Sequence, residues 1–463
     1  MSAPERLAVD YRIDRARLFA SLRHWPAAVW LDSNAERRGD GAHDLISACP
    51  TVTLQQRQER CWLQPHDGAA AAAAGEFLSL LREQLAKRSD PDGHAAGAAI
   101  GYLGYDLARS WAHGAFSTDL ARADIDLPQA RIGLYDWLYV ADHRRQQAEV
   151  LIHPACPPAI AERVRGWVAG LAGDTAPPPA RFRLEGGWQS DLPQERYRTA
   201  FQRVHDYIEA GDCYQVNLAQ RLSARYVGDP FEAYLRLRAV SPAPYAAFIG
   251  LDEGAILSLS PEQFLQVTAG EVTTRPIKGT RPRLDDRQAD EAMRQSLLHS
   301  DKERAENVMI VDLLRNDLGK SCQPGSIRVP KLCALESFAN VHHLVSTVVG
   351  RLTADRDALD LLRGCFPGGS ITGAPKQRAM QIIEELEPHR RAIYCGSIAA
   401  IGYDGSLRSS ITIRTLLCQR GTVHVWGGGG IVADSSCDAE YQESLAKIDN
   451  LCQELNRHES PGN

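Results

Sequence analysis

The sequence predicts an α+β protein in which antiparallel β-sheets pack together and helices lie outside them. Four β-prone runs follow one another too closely for helices to fit between them, at 245–250, 255–260, 264–269 and 272–277. Near the C-terminus, Asp404-Gly405 and Arg420-Gly421 separate three more such runs, and Asp-Gly is a strong hairpin signal. Short strands joined by tight turns favour antiparallel pairing, which leaves the helices on the outside.

The N-terminal part mixes helices with strands. The run Ala69 to Ala74 leads into 76–88, and the two together are predicted to form one helix, since alanine has the highest helix propensity. The stretch 101–106 is typical of a strand whose glycines permit close backbone packing. Neither stretch carries a motif to which we assign a function.

A surface connection is indicated by proline-rich stretches at 154–158 and 177–179. We therefore expect a boundary near residue 185, between an N-terminal region, 1–185, and a catalytic region, 186–455. Just after this boundary, apolar residues spaced by four, three and four positions predict a helix that ends at Gly211. They are Tyr197, Phe201, Val204 and Ile208.

Composition excludes several classes of protein. The 463 residues carry 52 Lys and Arg against 58 Asp and Glu, a formal charge of −6, which argues against a nucleic-acid binder. No apolar run approaches the roughly 20 residues needed to cross a membrane, and the N-terminus lacks the features of a signal peptide. The 11 cysteines form no CxxC pair. We expect a cytoplasmic protein with reduced, mostly buried thiols.

Glu262 and Lys278 form the first candidate site. If 264–269 and 271–277 pair as a hairpin, its open end brings the two side chains together, each at the end of a strand. From spacing alone, an exposed ion pair of little energetic value is the favoured interpretation. In a closed pocket the same residues would be an acid and a nucleophile, provided that the lysine is neutral.

Two acidic stripes form the second candidate site. Glu303 and Glu306 share one helix face, and so do Glu440 and Glu443, with Lys447 one turn further on. Two glutamates spaced by three residues usually lie on a solvated helix face. The alternative is an open site for Mg²⁺, which binds a few carboxylates and keeps water and substrate oxygens as further ligands.

Glycine-rich stretches form the third candidate site. The segment 366–376 leads into a helix with a proline in its first turn, and Gly427 to Gly430 follow a β-prone run. Their N–H groups predict an anion nest, with a flexible turn as the alternative. Between them, alternation over 410–415 predicts a strand with Arg414 on its polar face, where it can bind a carboxylate.

Taken together, these stretches resemble the chorismate-utilising family, which includes anthranilate, isochorismate and aminodeoxychorismate synthases. Similarity runs from about residue 190 to 450 and includes seven motifs. They are Ser260-Pro261-Glu262, 276–281 (PIKGTR), 301–319 (DKERAENVMIVDLLRNDLG), 341–346 (VHHLVS), 366–376, 411–415 (ITIRT) and 427–435 (GGGGIVADS). The resemblance implies the chorismate-binding fold of anthranilate synthase component I.

Two residues favour the branch that aminates chorismate at C4. Lys278 stands where anthranilate synthases typically carry alanine. Gln215 stands where isochorismate-forming relatives carry a lysine base that activates water, and glutamine cannot act as a base. The resemblance therefore implies conversion of chorismate and ammonia to 4-amino-4-deoxychorismate, a precursor of 4-aminobenzoate and folate.

The family also implies roles for particular residues. Glu262 is the general acid that protonates the C4 hydroxyl, and Lys278 attacks C2 before ammonia adds at C4 and expels the lysine. Mg²⁺ is held by Glu303, Glu306, Glu440 and Glu443. His343 lies near the leaving group, with a buried core histidine as the alternative. The implied substrate-binding residues are Gln215, Thr280, His343, Thr372, Tyr394, Arg414, Gly428, Gly429, Gly430 and Lys447.

Ammonia is expected from a separate glutamine amidotransferase subunit, because the chain has no recognisable glutaminase. A tryptophan pocket is a further hypothesis, since 30–33 loosely resembles a segment of that pocket in anthranilate synthases; its residues would be Ser33, Pro244, Tyr245 and Ala246. The first alternative function is an anthranilate synthase large subunit. The second is a non-catalytic homologue that binds tryptophan or a partner.

Overall fold

The computed structural model of the protein describes residues 3–34, 43–89, 96–111, 120–171, 178–338 and 341–457. All structural statements below refer to these residues. Part of the predicted proline-rich connection, at 172–177, lies outside them.

Among the described residues, the strands longer than eight residues all lie beyond residue 214. In chain order they are β1 (Glu5–Val9), β2 (Val29–Asp32), β3 (His43–Ser47), β4 (Val52–Arg57), β5 (Arg60–Pro65), β6 (Ala71–Ala73), β7 (Ala98–Leu103), β8 (Ala130–Tyr135), β9 (Trp137–Asp142), β10 (Gln147–Ile152), β11 (Arg183–Ser190), β12 (Gln215–Val227), β13 (Tyr245–Leu251), β14 (Gly254–Ser260), β15 (Gln263–Thr268), β16 (Glu271–Arg275), β17 (Ile277–Pro282), β18 (Arg328–Ser337), β19 (Val341–Arg351), β20 (Gly373–Ala374), β21 (Ser397–Gly402), β22 (Leu407–Ile411), β23 (Thr415–Gln419) and β24 (Thr422–Ile431).

The helices include two long ones that carry the predicted acidic stripes. They are α1 (Arg15–Leu22), α2 (Phe77–Ala86), α3 (Ala108–Trp111), α4 (Pro158–Gly170), α5 (Gln194–Glu209), α6 (Pro230–Val240), α7 (Arg287–Leu298), α8 (Asp301–Gly319), α9 (Ala358–Cys365), α10 (Lys376–Leu386) and α11 (Cys437–Asn456). Short 3₁₀ turns lie at Tyr105–Leu107 and Gly369–Ile371.

Two antiparallel sheets form the body of the molecule. The first has the order β1-β10-β9-β3-β2-β13-β14-β23-β24-β12-β11, with β20 beside β12. The second has the order β17-β19-β16-β15-β22-β21-β7-β8-β4-β5-β6, with β18 beside β19. One hydrophobic core holds Ile249 and Ile256 of the first sheet together with Ile100 and Ile132 of the second, so the sheets pack face to face.

Helices cover the outer surfaces of this sandwich, as predicted. The outer side of the first sheet packs against α1, α4, α6 and α11, while α5 and α10 cover β12. The predicted helix beyond residue 185 is α5, which buries Tyr197, Phe201 and Val204 and is followed by Gly211 with a φ of +80°. The four predicted strands between 245 and 277 correspond to β13 to β16.

The alanine run is an exception to the prediction. Ala71–Ala73 forms the edge strand β6, paired with β5, and the helix begins only at Phe77. The Glu76 side chain caps this helix by accepting from the Ser79 N–H. Because a neighbouring strand supplies hydrogen-bond partners, pairing outweighs the small intrinsic helix preference of alanine.

Strands from both sides of residue 185 share both sheets. In the first sheet β2 pairs with β13, and in the second β7 pairs with β21. The close packing predicted for the 101–106 glycines is also present, because a Cβ on Gly101 would lie 2.0 Å from the Arg131 carbonyl oxygen. The boundary near residue 185 was proposed from the sequence. In the structure, both sheets contain strands from both sides of it.

No helix in the described part of the chain has both the length and the apolar character required to span a membrane. The 11 cysteines are unpaired, and all except Cys437 are buried.

Candidate active site

The candidate site is built at two of the points where the chain passes from one sheet to the other. Glu262 lies in the first crossing, between β14 and β15, and Arg414 lies in the second, between β22 and β23. The crossings are hydrogen-bonded side by side, since the Ile411 N–H donates to the Glu262 carbonyl and the Leu259 N–H donates to the Arg414 carbonyl. This arrangement brings two residues that are distant in sequence to one place.

Glu262 is buried in an environment suited to a general acid. Burial raises its pKa to about 7, although a hydrogen bond from Ser370, the Lys278 charge and the Ile277 N–H all act to lower it. The Ser370 hydroxyl donates to Oε1 at 2.8 Å. A carboxyl with a pKa near neutrality can hold a proton and still release it.

Lys278 is the second residue of β17, which begins after Pro276 interrupts the ladder. Its Nζ lies 3.8 Å from Glu306 Oε2, and only 13% of its side chain is exposed. The hairpin of β15 and β16 brings Glu262 and Lys278 together, as predicted. The prediction that Lys278 ends a strand is wrong, and so is the favoured interpretation of an exposed ion pair with Glu262.

Arg414 does not lie on the polar face of a strand. The predicted strand over 410–415 is broken at the crossing, where Arg414 adopts a left-handed backbone with φ of +49°. Burial lowers the pKa of its guanidinium, and in the described part of the chain no carboxylate pairs with it. A buried cation without an acidic partner is suited to an anionic ligand.

His343 lies beside this cation. Burial and the Arg414 charge lower the pKa of His343 to about 4, so the imidazole is neutral at pH 7. Its Nδ1 is 2.9 Å from the Thr280 hydroxyl, which faces it across the β17–β19 pair. Thr280, His343 and Arg414 therefore form one wall of the candidate site.

The four predicted metal-binding carboxylates come from α8 and α11, and each contacts a basic side chain. The pairs are Lys278–Glu306 at 3.8 Å, Arg281–Glu303 at 3.5 Å, Lys302–Glu440 at 3.6 Å and Lys447–Glu443 at 2.8 Å. Within the described residues, no three acidic, histidine or cysteine side chains converge on one point as a ready-made metal site.

These carboxylates nevertheless lie close enough to influence one another. The pKa of Glu306 is raised by burial and by the charges of Glu303 and Glu440, against the opposing effect of Lys278. Burial acts to raise the pKa of Glu443, but nearby lysines, first Lys447, outweigh it and lower the pKa. Clustered carboxylate oxygens are the donor set that Mg²⁺ prefers, so the residues fit this ion chemically.

Two glycines make room for the carboxylates. A Cβ on Gly429 would lie 2.8 Å from Glu440 Oε2, and one on Gly279 would lie 3.0 Å from Glu303 Oε2. Gly279 also has a φ of +73°, which disfavours any other residue. Each glycine therefore leaves room for the carboxylate of a neighbouring helix, and at Gly279 the Leu297 side chain also lies within 2.7 Å of an added Cβ.

The run Gly427 to Gly430 is part of a regular strand and forms neither the predicted nest nor a flexible turn. It pairs with β12 over 217–220. Gly428 and Gly430 face Asn217 and Gln215, whereas Gly427 and Gly429 face α11. Both polar atoms of the Gln215 amide, and Oδ1 of Asn217, are buried and find no hydrogen-bond partner among the described residues. Such orphaned atoms indicate a place for a polar ligand.

The remaining predicted substrate-binding residues differ in their surroundings. The Thr372 hydroxyl donates to the Gly368 carbonyl at 3.0 Å and so supports the local turn. Tyr394 is buried and stacks on Trp426 with ring centroids 6.1 Å apart. The Lys447 ammonium donates to the Gly428 carbonyl at 2.9 Å and thereby ties α11 to β24.

The four predicted tryptophan-binding residues line a separate, largely apolar cavity between the sheets. Ser33, Pro244, Tyr245 and Ala246 lie there together with His43 and Arg408. The Ser33 hydroxyl donates to Asp44 Oδ1 at 2.8 Å. Tryptophan binding remains a prediction.

Sequence reasoning missed three buried polar residues at the site. Ser370 lies in the glycine-rich motif, where backbone N–H groups, and not a serine hydroxyl, are the expected hydrogen-bond donors. Asn217 follows Gln215 by two residues, so strand alternation could have placed both on one face. Arg391 bonds Glu387 and the carbonyls of Ile371 and Asn217, a contact set that no local pattern reveals.

Comparison with known proteins supports the fold and the family. Aminodeoxychorismate synthase component 1 of Klebsiella aerogenes is 44% identical over 461 residues, which cover 98% of this chain and 100% of the relative. Anthranilate synthase component 1 of Thermus thermophilus is 40% identical over 359 residues, 76% of each chain. The crystal structure of anthranilate synthase component I from Streptococcus pneumoniae matches with a TM-score of 0.77 and 29% identity, covering 89% of this chain and 92% of that one.

The predicted fold class is thus confirmed by the sheets and by this structural match. The family model described as chorismate binding enzyme matches residues 27–453, which include both crossings and all four candidate metal ligands. With this match and with full-length relatives above 40% identity, the chain belongs to the chorismate-binding enzyme family.

Proposed function

We propose that the protein is an aminodeoxychorismate synthase large subunit, which converts chorismate and ammonia to 4-amino-4-deoxychorismate. The observation that carries this proposal is the position of Lys278, whose largely buried side chain lies beside Glu262 with its Nζ 3.8 Å from Glu306 Oε2. The full-length similarity to an enzyme named aminodeoxychorismate synthase component 1 supports the same conclusion.

The chemistry follows from two side chains that act in turn. Glu262 gives its proton to the C4 hydroxyl and water leaves, while the neutral Lys278 amine forms a bond to C2 and the ring double bonds shift towards C4. Ammonia then forms a bond to C4, the double bonds shift back, the C2–N bond to Lys278 breaks, and the surplus proton on the new amine returns to Glu262. Two displacements replace one difficult displacement, and the lysine is returned unchanged.

The substrate is an anion, and its carboxylates require cationic or N–H partners in a buried site. Arg414 is buried and pairs with no carboxylate among the described residues, so it is the candidate for the enolpyruvyl carboxylate. Tyr394 and the backbone of Gly428 to Gly430 are the further candidates, with Thr280 and His343 beside the ring.

A divalent cation belongs to the proposal. Glu303, Glu306, Glu440 and Glu443 would hold Mg²⁺, directly or through water. When bound, the ion would neutralise charge on the ring carboxylate. The ion would then replace the contact of Lys278 with Glu306 and that of Lys302 with Glu440.

Ammonia is proposed to come from a separate glutamine amidotransferase subunit. The designation component 1 of the similar Klebsiella aerogenes protein is consistent with a second component. The large subunit alone would then work only with added ammonium, whereas glutamine would serve only in the presence of the partner.

A product assay tests the proposal. We expect the purified protein, supplied with chorismate, Mg²⁺ and ammonium, to form a product that an added aminodeoxychorismate lyase converts to 4-aminobenzoate. Anthranilate fluorescence without the lyase would instead identify an anthranilate synthase, a second candidate that the 40% identity to the Thermus thermophilus enzyme keeps open. Absence of both products would favour a non-catalytic homologue.

A further inference from the structure

The glycine-rich segment 366–376 was singled out by its sequence, and its glycines are explained by packing. A Cβ on Gly368 would lie 2.6 Å from Cδ1 of Ile411, and one on Gly369 would lie 2.5 Å from Cδ2 of Leu313. The turn Gly369–Ile371 is therefore pressed between β22 and α8. This close approach brings one functional group to Glu262, the hydroxyl of Ser370.

Ser370 is buried, and its Oγ donates to Oε1 of Glu262 at 2.8 Å. The Ile277 N–H, which belongs to the residue before Lys278, lies close enough to favour the ionised form of the carboxyl. Glu262 is thus held by one contact from the glycine-rich turn and by one from the strand that carries the proposed nucleophile. The Lys278 charge also favours the ionised carboxyl, but burial outweighs it, so Glu262 can hold a proton near neutral pH.

We propose that Ser370 is a positioning residue that fixes which oxygen of Glu262 carries the proton. This inference rests on the proposed function and names a further part of the same site. Because the Ser370 hydroxyl donates to Oε1, that oxygen is the acceptor and the proton resides on Oε2, the oxygen left to protonate the leaving hydroxyl. After the proton has left, the same hydroxyl stabilises the carboxylate that remains.

The contact has a measurable electrostatic consequence. Burial disfavours the ionised form of Glu262, whereas the Ser370 hydrogen bond favours it. Removal of the hydroxyl therefore raises the pKa of Glu262 further, so the acid holds its proton more tightly, and also frees the carboxyl to rotate. A side chain that only filled space would produce neither effect.

The test is the variant Ser370→Ala, with Ser258→Ala as the matched control. Ser258 is also buried, shares a hydrogen bond with the Thr415 hydroxyl and makes no hydrogen bond to Glu262. Isotope-edited infrared titration of the Glu262 carboxyl without substrate should show a midpoint raised by roughly one pH unit in Ser370→Ala and unchanged in the control. The turnover number should fall roughly 10- to 100-fold in Ser370→Ala, with its alkaline limb shifted in the same direction.

Variants that keep a hydrogen-bond donor at position 370 distinguish a positioning role of Ser370 from a packing role. Ser370→Thr keeps a hydroxyl and should restore most of the midpoint and of the turnover, whereas Ser370→Cys, a weak donor, should restore less. An unchanged carboxyl midpoint in Ser370→Ala overturns the inference, even if turnover falls. Because the titration needs no substrate, its result stands whether or not the product assay supports the proposed function.

Discussion

Single residues at the two crossings decide the chemistry that this chain can perform. The sequence predicted that Glu262 and Lys278 meet, because the closely spaced strands before and between them form a hairpin whose geometry is local. It could not predict the buried surroundings of Glu262, because Ser370, which bonds its carboxyl, lies 108 positions further along the chain. Whether a carboxyl is an exposed charge or a general acid depends on the side chains around it, and here these come from distant segments.

The raised pKa of Glu262 predicts a pH-dependent cost to stability. Its ordinary value of 4.5 applies to the unfolded chain and the value of about 7 to the folded one, so the folded state binds the proton more tightly. Stability is lost as the pH rises from about 4.5 to about 7. The unfolding free energy of Glu262→Gln minus that of the parent protein should therefore increase by roughly 3 kcal/mol as the pH rises from about 4 to about 8.

Denaturant unfolding at several pH values measures this difference. Glu271→Gln is the matched control, because the Glu271 side chain is 76% exposed and its removal changes the same formal charge. A constant difference between Glu262→Gln and the parent across the pH range would mean that the buried carboxyl is not held protonated by its surroundings.

At the scale of elements, the two misread segments have one explanation. Strand pairing with β5 placed the alanine run in β6, although its intrinsic preference favoured a helix. The run Gly427 to Gly430 suggested a loop because glycine is common in turns, yet here its small volume is what matters, since α11 approaches β24 closely. Composition shows that a segment is unusual, but the strand or helix packed against it determines which structure it forms.

Gly429→Ala tests this explanation. The added methyl group would lie 2.8 Å from Glu440 Oε2 and should displace that carboxylate. We expect the Mg²⁺ concentration required for half-maximal turnover to rise roughly tenfold, because small shifts of ligands weaken metal sites. Gly187→Ala is the control, since a Cβ there meets no atom within 4 Å. Equal Mg²⁺ requirements in the two variants would contradict the assigned role of Gly429.

The whole molecule depends on pairings between its two halves. The fold class was predictable from strand spacing, but the sheet order was not, because partners such as β7 and β21 are almost 300 residues apart in sequence. The pairs β2–β13 and β7–β21 cross the proposed boundary near residue 185. Each half alone would expose long unpaired strand edges and part of a shared core.

Separate expression of 1–185 and 186–463 tests this dependence. We expect neither fragment to show a cooperative thermal transition, whereas the intact chain should show one. A sharp transition in either fragment alone would identify it as an independent folding domain and would contradict the dependence on pairing across the boundary.

The central claim is that the Lys278 amine bonds to the substrate ring before nitrogen is installed. The most direct measurement is peptide mass spectrometry of protein quenched with chorismate and Mg²⁺ in the absence of ammonia. The account predicts an adduct with the mass of chorismate less one water on the peptide that contains Lys278, and no adduct in Lys278→Ala. An unmodified peptide, together with full ammonia-dependent turnover by Lys278→Ala, would contradict it.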